Sequence, residues 1–263
     1  MVTALADMMV ERLQSFQQSN NGVLPERVIV YRDGVSEVWL ATTSLLSALT
    51  ALQGQFNIVV RDEMPEIKNA FRKFDKQQPY LPKLTIVVCG KRHHTRFFPT
   101  DAQTAAGDGN PRPGTVVDRG VTAVYEFDFF LQGAYIFCAR VVPSLTPMPL
   151  AHGGLQGTTR PTHYYVVHDE IGFAADQLQT LTNDVSFLFA RATKAVSLVS
   201  PAYYADLACE RGRCYLHPLL QGITQRKPPT GRSELTEDEV GQEAQQLWSS
   251  GPGARIKKTM FYL

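Results

Sequence analysis

A chain of 263 residues can bury a sizeable core as one α/β domain or as two small ones. Its 26 Lys and Arg against 25 Asp and Glu leave a net charge of +1, so a nucleic-acid role has to rest on clustered basic residues and not on a global field. Cys89, Cys138, Cys209 and Cys214 show no Cys-x-x-Cys spacing, no signal peptide precedes them and no apolar run reaches transmembrane length; this argues against a disulfide scaffold or a membrane span and for free thiols in a soluble, intracellular protein.

Residues 1–18 have helical spacing, with Leu5, Met8, Met9, Leu13 and Phe16 on one face and no recognisable cap, as in the tail of a longer helix. Asn20-Asn21-Gly22 stops it. Val28-Ile29-Val30 predicts a buried strand, which Asp33-Gly34 ends. A carboxylate at a strand end is held stiffly and suits a divalent cation, although a turn-forming Asp-Gly is the plainer account of these two residues. Residues 62–74 predict a helix with Ile67, Ala70, Phe71 and Phe74 on one side, and residues 85–89 a buried strand. That strand delivers Gly90-Lys91-Arg92-His93-His94-Thr95-Arg96, the densest basic cluster in the chain. Cations fixed on a scaffold in this way suit phosphate contacts.

Residues 99–115, rich in Gly, Pro, Asp and Asn, predict a loop. Strands are expected over 121–131 and 162–167, the second ending in the acidic His168-Asp169-Glu170. A long helix is expected over 176–199, carrying Arg191 and Lys194 at i, i+3. Ser200-Pro201 reads as an N-cap and first-turn proline opening a further helix. The polar segment 221–237 predicts a mobile loop, and 238–249 a short helix before the terminal Lys257-to-Leu263 stretch. Alternating strands and helices predict an α/β fold built on a mixed sheet.

Four stretches, in order, resemble the PIWI domain of eukaryotic Argonaute proteins. They are Tyr31-Arg32-Asp33-Gly34-Val35-Ser36-Glu37, Lys91 to Phe98, Gly157-Thr158-Thr159-Arg160-Pro161-Thr162-His163-Tyr164, and Pro201-Ala202-Tyr203-Tyr204-Ala205. The resemblance implies a ribonuclease H-like mixed sheet flanked by helices, with residues 1–263 forming a partial PIWI domain. The family's first metal-binding aspartate and its glutamate finger would fall upstream of Met1 or about at it. Residues 38–53 and 133–150 interrupt the pattern; they are nearly uncharged, each follows a strand, and deleting both restores it. They read as inserts, specifically as introns translated in frame.

The resemblance also implies the chemistry. Asp33 matches the second metal-binding aspartate, and Asp206 the last ligand, where many relatives carry histidine; together they would help hold two Mg2+ ions, with Mn2+ as a substitute, for hydrolysis of a target RNA strand. Lys91, Arg92, His94, Arg96, Arg191, Ser197 and Tyr203 match positions near guide-RNA phosphates, and Arg160 of the third motif is grouped with them. Arg211 matches an arginine reaching the guide's 5′ phosphate in a pocket shared with the MID domain, near which the Leu263 carboxylate also lies in relatives. Phe189 stands where relatives often have tyrosine, and Lys194 replaces an arginine, keeping the charge but not the fork. The acidic end at residues 168–170 is not a metal site in the family, so a structural role is expected there; Tyr203 and Tyr204 read equally well as core aromatics. The implied partners are a small guide RNA, its target RNA, the MID domain of the same full-length protein and tryptophan-rich silencing partners, in the cytoplasm or alternatively the nucleus, with no membrane. Without the upstream ligands the chain is not expected to cut RNA alone. A guide-binding adaptor that does not cut, and a non-functional truncated gene product, are the alternatives.

Overall fold

The structure, a computed structural model, describes residues 4–34, 56–74, 80–106, 109–133, 158–225, 237–250 and 259–263. Both expected inserts, Gly133 apart, lie outside the described residues, as does most of the expected mobile loop at 221–237. The chain divides into two units, Met1–Ser200 and Pro201–Leu263.

The first unit is organised on β2 (Lys83–Gly90), in which every residue from Leu84 to Cys89 is buried. Such a run has no solvated face because the sheet is covered on both sides. β1 (Arg27–Asp33) pairs with it in parallel, and β5 (Thr162–Asp169) lies antiparallel on its other side. Beyond β5 come β4 (Asp128–Leu131) and the two-residue β3 (Val116–Val117), both antiparallel, giving the order β1-β2-β5-β4-β3. This is the expected mixed α/β sheet.

Side chains alternate along β2. Leu84, Ile86 and Val88 pack with Leu13 of α1 (Leu5–Ser19) and with Ile67 and Phe71 of α2 (Met64–Phe74). On the other face, Tyr31 reaches α3 (Ala175–Ser186), where its hydroxyl meets the Thr182 hydroxyl at 3.0 Å. Tyr164 and Phe129 stack with ring centroids 5.3 Å apart on neighbouring strands.

Several elements differ from the sequence expectation. In α1, Leu13 is buried, while Met8 and Phe16 are exposed at the margin of the predicted face. The helix stops as expected: Asn21 and Gly22 take positive φ values of 54° and 86°, and the Gly22 N–H donates to Gln17 O at 2.9 Å. The helix expected from residue 62 is preceded by a π-helical segment, Val59–Glu63. The strand expected over 121–131 is only Asp128–Leu131, and Val124 and Tyr125 are 86% and 98% exposed.

The long helix expected over 176–199 ends at Ser186. Its last carbonyls are taken by tertiary donors: Val196 N–H donates to Ser186 O at 3.0 Å, and the Ser200 hydroxyl to Val185 O at 2.8 Å. Val199 N–H donates in turn to the Tyr164 hydroxyl. With these groups satisfied the helix has nothing to gain by continuing. Arg191 and Lys194 therefore lie on turns. Ser200 does begin the next helix, α4 (Ser200–Gln225), which includes residues expected in the mobile loop; α5 is Glu237–Ser250. In this second unit Tyr215, Trp248 and Phe261 form an aromatic cluster, and Tyr204 packs on Tyr262.

The acidic end of β5 is structural. Asp169 accepts N–H bonds from Ile171, Gly172 and Phe173 and a 2.6 Å bond from the Thr85 hydroxyl. Glu170 accepts from Lys68 at 2.7 Å and from the Leu84 N–H at 3.1 Å. The Lys68 ammonium, with help from Leu84 and His168, holds the Glu170 carboxyl down at about 2, from an ordinary value of 4.5. This group thus contributes stability that is complete above pH 4.5 and is lost as pH falls toward about 2. Because the carboxyl is more than a third exposed, screening keeps the contribution small. Glu170→Gln should lower the urea midpoint slightly near neutrality, where the wild-type contribution is complete, and flatten its fall across that window.

Candidate nucleic-acid interface

β1 and β2 run parallel, so their C-terminal ends reach the same edge of the sheet, where Asp33 lies opposite Cys89. Gly34 extends the ladder by one bond, its N–H donating to Cys89 O at 2.7 Å. β5 is antiparallel to β2, with His163 opposite Gly90, so Arg160 and Pro161 arrive at that edge as well. The turn segment after α3 is tied in where the Thr162 hydroxyl donates to Ser197 O. Segments far apart in sequence thus deliver Asp33, Lys91, Arg160 and Ser197 to one place.

Lys91 is the centre of this group. Its ammonium donates to the Ser197 hydroxyl, and its carbonyl accepts from Arg160 Nη1 at 3.2 Å. Burial pushes the Lys91 pKa down to about 8; the Arg160 charge acts in the same direction and the Asp33 carboxylate opposes both. A half-buried cation beside a second cation is short of negative charge, the condition an incoming phosphate would relieve. Beneath it the Cys89 thiol is pushed well up, by burial first and then by Asp33.

The rest of the basic cluster points alternately in and out. Arg92 and His94 are exposed. His93 is turned inward, its Nε2 on Pro161 O at 2.9 Å and its ring edge-on to Phe130. Burial lowers its pKa, and its Nδ1 is a buried atom with no hydrogen-bond partner among the described residues. Arg96 folds onto its own loop, donating to Thr95 O at 2.8 Å and to His93 O at 3.4 Å. Arg191 is exposed on its turn. In the second unit Tyr203 and Asp206 stand three residues apart on α4, Tyr203 half-buried and Asp206 exposed, with Arg211 exposed farther along.

As a metal ligand, Asp33 has the right chemistry, a hard oxygen donor on a stiff strand. Among the described residues, no group of three or more His, Cys, Asp or Glu side chains is placed to hold an ion. The donor type fits a magnesium ion; the donor number does not complete a two-ion site.

Three participants escaped sequence reasoning. Arg32 and Glu63 form an ion pair at 3.0 Å behind Asp33; the arginine belongs to the Tyr31-to-Glu37 motif, but nothing in the sequence marks Glu63 as its partner. Gly133, the first residue of the second expected insert, lies so close to the backbone of Ser197 that an added Cβ would meet Ser197 Cα at 2.3 Å. A lone glycine gives no signal of that contact.

A family model described as the Piwi domain matches residues 1–145 and 148–217. Protein argonaute 2 of Oryza sativa subsp. japonica is 41% identical over 217 residues, 82% of this chain and 17% of that protein. Protein argonaute 5 of Arabidopsis thaliana is 39% identical over 246 residues, 92% of this chain and 20% of that protein. The chain therefore spans about a fifth of the length of these relatives. The C-terminal lobe of a budding yeast Argonaute superposes with a TM-score of 0.71 at 29% identity, covering 99% of this chain and 44% of that one. Kluyveromyces polysporus Argonaute with a guide RNA gives 0.70 at 29% identity, covering all of this chain and 25% of that one. The five-stranded mixed sheet with its flanking helices is the ribonuclease H-like fold of those Argonaute structures.

The folded chain should release the Lys91 proton near pH 8, whereas the unfolded chain holds it to about 10.5. Stability should therefore rise as pH increases between those values, since the unfolded state binds the extra proton there. In Lys91→Met that rise should be missing from urea midpoints measured across the same range.

Proposed function

Because the chain belongs to the Piwi domain family of eukaryotic Argonaute proteins, we propose that it holds the phosphate backbone of a small guide RNA at the edge where β1 and β2 end. Within a complete Argonaute it contributes to silencing by cleavage of the paired target RNA. The observation that carries this reading is the grouping of Lys91, Arg160 and Ser197: two cations and a hydroxyl, fixed by the sheet and by one another. Such groups hold a nucleic acid in register without reading bases, so sequence recognition is left to guide–target pairing. Arg92, His94 and Arg191 are exposed cationic or imidazole groups suited to further phosphates, and Arg211 on α4 serves the 5′ phosphate together with a MID domain. A relative of the same fold has been solved with a guide RNA.

Asp33 and Asp206 are the carboxylates this chain offers to the magnesium or manganese ions. The ions would supply activation of the attacking water and charge stabilisation at the leaving oxygen. The chain's own part is to hold Asp33 at a rigid strand end while Lys91 anchors the strand that is not cut.

This reading gives the tryptophan-rich partners a place at the opposite ends of β1 and β2. A cleft of about 550 Å3 opens there, lined by the apolar or aromatic Leu24, Pro25, Tyr80, Leu81 and Pro82 and by the charged Glu26, Arg27 and Lys83. Within the lining the Tyr80 hydroxyl donates to Pro25 O at 2.7 Å, while Leu81 is 72% exposed. A wall of prolines, tyrosine and leucine suits an indole side chain.

Fluorescence anisotropy with a short 5′-phosphorylated RNA tests the first part. Lys91→Met should weaken binding about tenfold, the loss expected of one charge-assisted contact, and should reduce the salt slope by about one. RNA affinity indifferent to both Lys91 and Arg160 would sink the reading. Asp33→Asn should leave RNA affinity intact and weaken Mn2+ binding; no effect on Mn2+ would favour the adaptor that does not cut. Leu81→Asp should weaken capture of a tryptophan-rich peptide, followed by the same method, without changing RNA affinity.

A further inference from the structure

We infer that Arg32 and Glu63 form a positioning device for Asp33, joining the helical layer to the strand end through a single guanidinium; the inference rests on Asp33 being a metal ligand, as read above. Successive residues of β1 face opposite sides of the sheet. Asp33 shares its parity with Tyr31, which faces α3, whereas Arg32 turns toward the α1–α2 side. There its Nε and Nη2 form a fork on the Glu63 carboxylate, at 3.3 and 3.0 Å. Its remaining nitrogen, Nη1, donates to the carbonyls of both Asp33 and Gly34.

The position of these carbonyls gives the contact its consequence. Among the described strands β1 pairs with β2. The last tie on that side is the Gly34 N–H to Cys89 O. Arg32 adds a restraint at the same two residues from the α1–α2 face, and so fixes the peptide planes that aim the Asp33 side chain. Glu63 is itself held: it ends the π-helical segment Val59–Glu63, whose first residue, Val59, is buried in the core, and it runs directly into α2. A π turn inside a helix shifts the side chains after it relative to an α-helix. Here the shifted helix presents Glu63 to Arg32.

Both partners are largely shielded, with side chains 27% and 17% exposed. Lysine cannot replace the arginine, because an ammonium lacks the planar fork needed to bind a carboxylate and two carbonyls from one face. Neither Arg32 nor Glu63 needs to touch an ion or a substrate to act. Their effect passes through the backbone of Asp33 and Gly34.

The test uses the whole chain and its Arg32→Lys, Glu63→Gln and Asp33→Asn variants, with three readouts. Amide exchange by NMR reports on Gly34 and, as a control for folding, on Ile86 and Val88. Electron paramagnetic resonance of free Mn2+ reports metal affinity, and anisotropy reports RNA affinity. Arg32→Lys should speed exchange at Gly34 with the two core amides unchanged. It should weaken Mn2+ binding about tenfold to a hundredfold, the usual effect of losing an outer-sphere partner, and leave RNA affinity intact; Glu63→Gln should do the same more mildly. Unchanged Gly34 exchange in a folded Arg32→Lys chain would overturn the device, as would faster exchange with wild-type Mn2+ affinity. If Asp33→Asn binds Mn2+ as the wild type does, the ligand assignment fails, and the positioning role falls with it even if Gly34 exchange responds to Arg32.

Discussion

The parallel ladder between β1 and β2 is the constraint on which the rest of the site depends. A parallel pair sends two chain ends out of the same side of a sheet, and a helical connection such as α2 is what makes that pairing possible. Asp33 and Lys91 are neighbours for this reason alone, although dozens of residues separate them along the chain. The antiparallel return of β5 then brings Arg160 to the same side from the opposite direction. Charge is added only after the backbone has decided where it goes. That order explains how a protein with almost no net charge can present a focused basic edge.

Burial under that edge does chemical work as well as structural work. The run from Leu84 to Cys89 is sealed on both faces, so the groups at its end stand on a rigid, low-dielectric base. Lys91 is the clearest result: it is half-withdrawn from water, close to Arg160, and held by a serine that the folded-back segment after α3 provides. The same segment also sets the length of α3 through Val196 and Ser200. Shape at the edge and helix termination are therefore two consequences of one set of hydrogen bonds.

Much of this was legible in the sequence because it is local. The β-branched run before Asp33, the buried run before Lys91 and the Asn-Asn-Gly stop after α1 each depend on near neighbours, and each element stands where the pattern put it, although β1 is half-buried where a buried strand was expected. The errors fall where distant groups decide. Nothing between Ser186 and Val199 breaks a helix by composition; the donors that end α3 come from Val196 and Ser200, and the Tyr164 hydroxyl fixes the returning chain. The strand expected from Val121 begins only at Asp128, because apolar residues alone do not make a strand and among the described residues the ladder partners face 128–131. At the site, the residue types were readable from the motifs. Their pairing was not: the Lys91–Ser197 and Arg32–Glu63 contacts are tertiary and leave no mark at fixed spacing.

The position of Cys89 adds a property of a different kind. Its thiol is buried, its ionisation is suppressed, and it stands in register with Asp33 at the last rung of the β1–β2 ladder. A thiol in that state is inert toward alkylating reagents until water reaches it. Water reaches it only when the strand ends part. Cys89 is thus an internal clock for the opening of the edge itself: its labelling rate, distinct from that of the exposed Cys209 and Cys214, measures how often the scaffold beneath Lys91 comes undone.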